Sequence, residues 1–152
     1  MTEASPLGDL PDVNVWLALA VQDHVHHEAA TAYWQASPQT KRFFCRGSAS
    51  SLVRLLTHPH LMAGKQLGLQ AAWQLYRRFR AVPTIRLLAE PSGVDEQLSA
   101  LITPLLPARH FTDAYLAALA ICSGLRLVSF DRDFSRFADL QWQLLTARKA
   151  RA

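Results

Sequence analysis

Four aspartates stand where the chain should change direction. Asp12 follows Leu7-Gly8-Asp9-Leu10-Pro11, Asp113 opens an apolar stretch that runs to Cys122, and Asp131 and Asp133 follow Leu125-Arg126-Leu127-Val128-Ser129. Two like charges at ~4 Å repel by about 4 kcal/mol at an effective dielectric near 20. A divalent cation reverses the sign of that interaction, and ligands made only of oxygen favour Mg²⁺ or Mn²⁺ over zinc. A cation held in this way suits hydrolysis of a phosphodiester, because it lowers the pKa of water and neutralises charge on the phosphoryl oxygens. Each acid alone has a plainer explanation. Asp113 could be a helix cap, and Asp12, Asp131 and Asp133 could be turn residues. Only their joint placement favours a catalytic reading.

That placement depends on the elements that carry them. Leu7 to Val13 reads as a strand and its exit, and Val15 to Val21 as the start of a helix. His24 to Trp34 has helical spacing, and Pro38 closes it. Arg42-Phe43-Phe44-Cys45 is a second strand, followed by a helix capped by Ser48 and stopped at Pro59. Lys65 to Arg80 is rich in good helix formers. Thr84 to Leu88 is a third strand, and Ser92 caps a helix over Val94 to Ile102. Thr112 caps another over Asp113 to Cys122, with Gly124 ending it at the position that favours a left-handed residue. Leu125 to Ser129 and Gln141 to Leu145 complete the strands. Strands alternating with helices predict an α/β fold: a three-layer α/β/α arrangement around a mainly parallel central sheet. Ligands of such sheets bind beyond the carboxyl ends of the strands. Asp12 and Asp131 both fall there, and Asp113 begins the helix leading into the fourth strand. The amino end of that helix favours an ionised carboxylate.

The chain has 152 residues, half of them hydrophobic, and a formal net charge of +4. One domain over residues 1–147, with a basic tail at 148–152, accounts for this length. A modestly basic chain fits a nucleic-acid partner and fits many other enzymes equally well. Cys45 and Cys122 have no partner at zinc or redox spacing and read as small buried hydrophobes in a reducing compartment. The first ten residues lack a basic start and a long apolar run, and no run approaches the ~18 apolar residues of a membrane helix. A cytoplasmic protein is expected.

Three stretches together resemble the PIN-domain ribonucleases, and more narrowly the VapC toxins of bacterial toxin–antitoxin modules. They are Asp12-Val13-Asn14-Val15-Trp16-Leu17-Ala18-Leu19, Phe111-Thr112-Asp113-Ala114-Tyr115-Leu116-Ala117-Ala118-Leu119-Ala120, and Ser129-Phe130-Asp131-Arg132-Asp133-Phe134. The resemblance implies a PIN-like fold and a Mg²⁺- or Mn²⁺-dependent endoribonuclease. Asp12, Asp113 and Asp131 would be the catalytic, metal-binding acids, with Asp133 an accessory acid. Ser129 and Asn14 would orient the acids, and Arg46 would meet RNA phosphate. A cognate antitoxin and a homodimer are also implied, with the Lys65–Arg80 and Val15–Val21 segments offering apolar surface for contact. There is one departure. Many relatives carry a Glu in the helix after the second strand, and here the matching position falls near Ser51 in Ser48-Ala49-Ser50-Ser51-Leu52. The departure bears on whether a second metal binds.

Two rival readings follow. A catalytically decayed module would bind RNA or antitoxin without cutting, and a phosphohydrolase with similar acids would prefer small phosphoesters. There is no phosphate-cradling Gly loop and no Gly-x-Ser-x-Gly elbow, which argues against a nucleotide kinase or a serine hydrolase. His24, His26, His27 and Glu28 lack zinc-motif spacing and read as a solvated helix end. His58 and His60 flank Pro59 and read as turn residues, and the four tryptophans read as core.

Overall fold

The structure is a computed structural model that describes residues 4–147. The expected basic tail at 148–152 lies outside the described residues. Strand β1 (Asp9–Pro11) is followed by α1 (Val13–Ala20), α2 (His27–Ala36) and β2 (Arg42–Phe44). Next come α3 (Arg46–Leu56), α4 (Leu69–Ala81), β3 (Ile85–Leu87) and α5 (Val94–Leu101). A 3-10 turn at Ala108–His110 runs into α6 (Phe111–Ser123); then come β4 (Arg126–Ser129), a second 3-10 turn (Arg132–Arg136) and β5 (Trp142–Leu144).

All pairings are parallel, and the sheet order is β3-β2-β1-β4-β5. The chain therefore builds outward from β1 in one direction, then returns to build outward from β4 in the other. The switch lies between β1 and β4, where Asp9, Leu10 and Pro11 pair with Arg126, Leu127 and Val128. Open sheets of this kind form a crevice at that point, outside the carboxyl ends.

Alternation along the strands feeds two apolar layers. Leu10 and Leu127 are fully buried on one face with Ala114, Ala117, Ala118 and Leu119 of α6 and Val94 of α5. Alanines at four positions of α6 (Ala114, Ala117, Ala118, Ala120) are fully buried, which lets that helix lie close against its neighbours. On the other face Val128 meets Val15 and Tyr33, while Phe44 meets Trp16, Leu52, Leu56 and Tyr76. Trp16 stacks on Phe44 at 3.9 Å between ring centres and 14° between planes, and Phe79 and Tyr76 meet this pair edge-on. Pairs of this kind contribute about 0.5–1.5 kcal/mol beyond their buried area. Among the described residues no helix is long and apolar enough to cross a membrane.

Several local expectations change. The helix expected from Lys65 starts at Leu69, with Gly68 before it. Thr112 does not cap α6: the preceding 3-10 turn extends the helix back to Phe111, so Thr112 lies inside the first turn and His110 occupies the cap position. Gly93, at φ 86°, takes the place expected of Ser92, because the left-handed turn there requires a residue without Cβ. Cys45 caps α3 with its thiol, and Ser48 returns the bond from the third helical position as a capping box. Gly124 ends α6 as expected, at φ 67°. Of the tryptophans, Trp16 is core, Trp34 and Trp142 are half-buried, and Trp73 is 43% exposed because it faces outward on α4.

Candidate metal centre

The acids sit at the carboxyl edge of the sheet because every strand points the same way. Asp12 is the first residue after β1, and its backbone N–H continues the ladder by donating to the Val128 carbonyl at 2.8 Å. Its side chain caps α1: Oδ1 accepts from the Val13 N–H at 2.7 Å, and Oδ2 accepts from the Ser129 hydroxyl at 2.9 Å. Ser129, fully buried at the end of β4, also accepts from the Asp131 N–H at 3.0 Å and from the Asn14 amide at 3.1 Å. Asn14 Oδ1 in turn accepts from the Phe130 N–H at 3.4 Å. One hydroxyl thus ties the exits of β1 and β4 together. Asp131 turns the chain through an Asx-type bond, with Oδ1 accepting from the Asp133 N–H at 2.8 Å.

Asp113 arrives on a third element, in the first turn of α6, where unpaired N–H groups favour negative charge. Burial pushes the Asp12 carboxyl above its ordinary range, and the charges of Asp113 and Asp131 push it the same way, against the hydrogen bonds from Ser129 and Val13. Asp12 therefore feels the charge of both other acids.

A second grouping shares Asp113 with this set and does not include Asp12 or Asp131. One ligand atom each from His110, Asp113 and Asp133 falls within 4.8 Å of the others, and it is a group of side chains that could hold a metal ion. His110 Nδ1 is 3.2 Å from Asp113 Oδ2 and 3.9 Å from Asp133 Oδ2. Asp133 is about half exposed and also meets Arg136, with Nη2 at 3.8 Å. The donor set is mainly carboxylate oxygen, which suits a hard divalent cation, and such an ion would offset the charges of Asp113 and Asp131 that add to the effect of burial on Asp12.

His110 was not among the residues singled out by sequence. Its spacing of three from Asp113 across a helix start was the available signal, but a lone histidine before a helix carries no motif. The bunched histidines also behave differently from a solvated end. His26 stacks on Phe130 at 4.3 Å and 12°, beside the β4 exit, and His27 Nδ1 lies 2.7 Å from the Ala18 carbonyl of α1. Arg46 is exposed as the first residue of α3, at the carboxyl end of β2. Ser51 is exposed on α3, and that helix carries no carboxylate. His58 forms the expected turn, its Nδ1 accepting from the Leu61 N–H.

Residues 10–140 match the PIN domain family. Ribonuclease VapC41 of Mycobacterium tuberculosis is 37% identical over 142 residues, covering 90% of this chain and 97% of that protein. Ribonuclease VapC38 of the same organism is 32% identical over 123 residues, with 80% and 84% covered. The chain belongs to the PIN-domain family and, within it, to the VapC ribonucleases. Two solved structures share the fold. VapBC2 from Rickettsia felis bound to a promoter DNA fragment has a TM-score of 0.69 at 12% identity, covering 91% of this chain and 98% of that one. M. tuberculosis VapC20, a Sarcin-Ricin loop cleaving toxin, has a TM-score of 0.66 at 20% identity, covering 86% and 95%.

Proposed function

We propose that this chain is a metal-dependent endoribonuclease that hydrolyses RNA phosphodiester bonds as the toxin of a toxin–antitoxin pair. The observation that carries the reading is geometric: the Ser129 hydroxyl ties Asp12 at the exit of β1 to Asp131 at the exit of β4, and Asp113 and Asp133 bring ligand atoms within 4.8 Å of one another beside His110. Asp12, Asp113 and Asp131 hold the cation, with Asp133 beside them. A bound Mg²⁺ or Mn²⁺ supplies Lewis acidity, lowering the pKa of water and offsetting charge on the phosphate. The chain's own residues do the positioning. Ser129 and Asn14 fix the Asp12 carboxylate and the Asp131 backbone, so the donors are arranged before RNA arrives. Arg46, exposed at the same edge, meets RNA phosphate, and the net charge of +4 draws the polyanion in. The catalytic unit is a single domain over residues 1–147, with a cytoplasmic site of action where RNA is available.

The proposal includes two partners: an antitoxin, in keeping with the likeness to VapBC2, and a second copy of the chain. A bound antitoxin could silence the site by placing an Arg among the acids in the cation's stead.

One observation favours a different outcome. With Ser51 near the usual Glu position and no acid on α3, a site that binds RNA without cutting remains the alternative. Turnover separates the two. Wild-type chain with Mg²⁺ or Mn²⁺ should cleave RNA through many cycles, and excess EDTA should stop it. Asp113→Asn should lower cleavage at least 100-fold with unchanged circular dichroism. Full activity in that variant, or in EDTA, would reject the mechanism; RNA binding with no turnover would leave the decayed module standing.

A further inference from the structure

We infer that His110 is a positioning residue for the metal centre: its Nδ1–H holds the Asp113 carboxylate, and the ring does not itself coordinate the ion. The inference rests on the metal-dependent reading above and goes beyond it by assigning a role to a residue outside the acid set.

Geometry alone allows two roles for the Nδ1 atom lying among Asp113 and Asp133. A bare Nδ1 could ligate the cation. A protonated Nδ1 would instead donate to Asp113 Oδ2 at 3.2 Å, with Asp133 Oδ2 further off at 3.9 Å. The far side of the ring decides between them. The side chain is only 6% exposed, and Nε2 is buried with no hydrogen-bond partner among the described residues. A neutral imidazole carries one proton. If Nδ1 bound metal, that proton would sit on Nε2 as a buried N–H without an acceptor, an arrangement native proteins avoid. Histidines that ligate metals almost always donate the other N–H to a carboxylate, carbonyl or water. With the proton on Nδ1, the N–H is satisfied by a carboxylate and only a lone pair is left without a partner.

The consequence for the site is directional. His110 engages Asp113 Oδ2 and leaves the other oxygen to face the cation. It also places a donor between Asp113 and Asp133, easing their mutual repulsion before any ion binds. The backbone secures the ring: His110 ends the 3-10 turn that feeds α6, and its N–H donates to the Pro107 carbonyl at 3.0 Å. Ring and carboxylate are thus three residues apart on one continuous helical path.

The test uses the intact chain with Mn²⁺ as probe. In the metal-free protein, imidazole ¹⁵N spectra should show the His110 proton on Nδ1. Pulsed electron paramagnetic resonance of the Mn²⁺-loaded chain should show no directly bound nitrogen. His110→Ala should weaken Mn²⁺ binding by calorimetry about 10–100-fold, the usual effect of losing a partner behind a ligand. His110→Asn, whose amide N–H can stand near the Nδ1 position, should recover most of that affinity. His110→Gln, whose amide falls nearer Nε2, should not. A proton on Nε2, a nitrogen coupling lost in His110→Ala, or equal Mn²⁺ affinity in wild type and His110→Ala would each overturn the inference. A wild-type chain that binds no Mn²⁺ would overturn the metal reading, and the role of His110 with it. Asn against Gln is the comparison that survives if the alanine variant does not fold.

Discussion

Asp12 serves the fold and the site at once, and the two roles conflict. As cap of α1 it satisfies the Val13 N–H, and as an acid it sits in a partly buried corner beside Asp113 and Asp131. Its carboxyl is held above the ordinary value of 3.8, first by burial and then by Asp113 and Asp131. For a raised folded-state pKa, the stabilising effect is present below the unfolded value and lost as pH rises through the folded one. Ionised Asp12 therefore costs the metal-free protein stability at neutral pH. Asp12→Asn keeps a good cap and removes the charge. In metal-free buffer the variant should melt higher than wild type at pH 7, with the gap closing as the pH falls toward 4. Mg²⁺ should then raise the wild-type melting temperature but not that of the variant. A variant that melts lower than wild type at neutral pH would show that the acid is not under electrostatic load.

At the scale of the elements, the two ends of the sheet are built on opposite terms. The carboxyl end gathers acids with too few cations, whereas the amino end pairs its buried acid fully. Asp9 is 1% exposed at the start of β1 and accepts both Nε and Nη2 of Arg126 at 3.0 Å, a two-pronged pair across β1 and β4. The Tyr33 hydroxyl of α2 also donates to Asp9, and burial followed by that carboxylate pushes the phenol up, keeping it protonated. Arg42 of β2, fully buried, donates to Tyr33 at 3.0 Å and lies over the Tyr33 and Trp34 rings. Four elements are locked together at the end of β1 and β4 opposite the candidate site. Arg126→Met leaves the Asp9 charge buried without its partner, so a loss of about 3 kcal/mol is expected, at the lower end for a broken buried pair because Arg126 is a third exposed. Urea denaturation measures it. Metal affinity should change little in the same variant; a large change would mean the two ends are coupled.

On the scale of the whole molecule, the single parallel direction of the sheet assigns functions to edges. All strand exits, and with them Asp12, Arg46 and Asp131, lie on one side. The α1–α4 side presents apolar side chains to solvent: Leu69 and Trp73, 68% and 43% exposed, stand one turn apart on α4. If a second copy covers them, sedimentation of the wild-type chain should give a dimer, and Leu69→Glu with Trp73→Glu should shift it to monomer while leaving Mn²⁺ binding within about twofold. A wild-type monomer at high concentration would remove the homodimer from the proposal.

The sequence by itself determined the alternation of strands and helices, the Gly124 stop and the exit positions of Asp12 and Asp131, because each is written in local signals of period, cap and turn. The acids at those exits are proposed from the same local signals, whereas the departure at Ser51 is legible only against the pattern of the family. Chain order contains no statement of which strands become neighbours. Only the tertiary structure set β1 beside β4, coupling Asp12 to Asp113 and Asp131 through space. It also buried the His110 ring with one nitrogen facing two carboxylates and the other facing none. Hydrogen bonding and desolvation at such a ring depend on groups brought from other segments, and spacing along the chain carries no record of them.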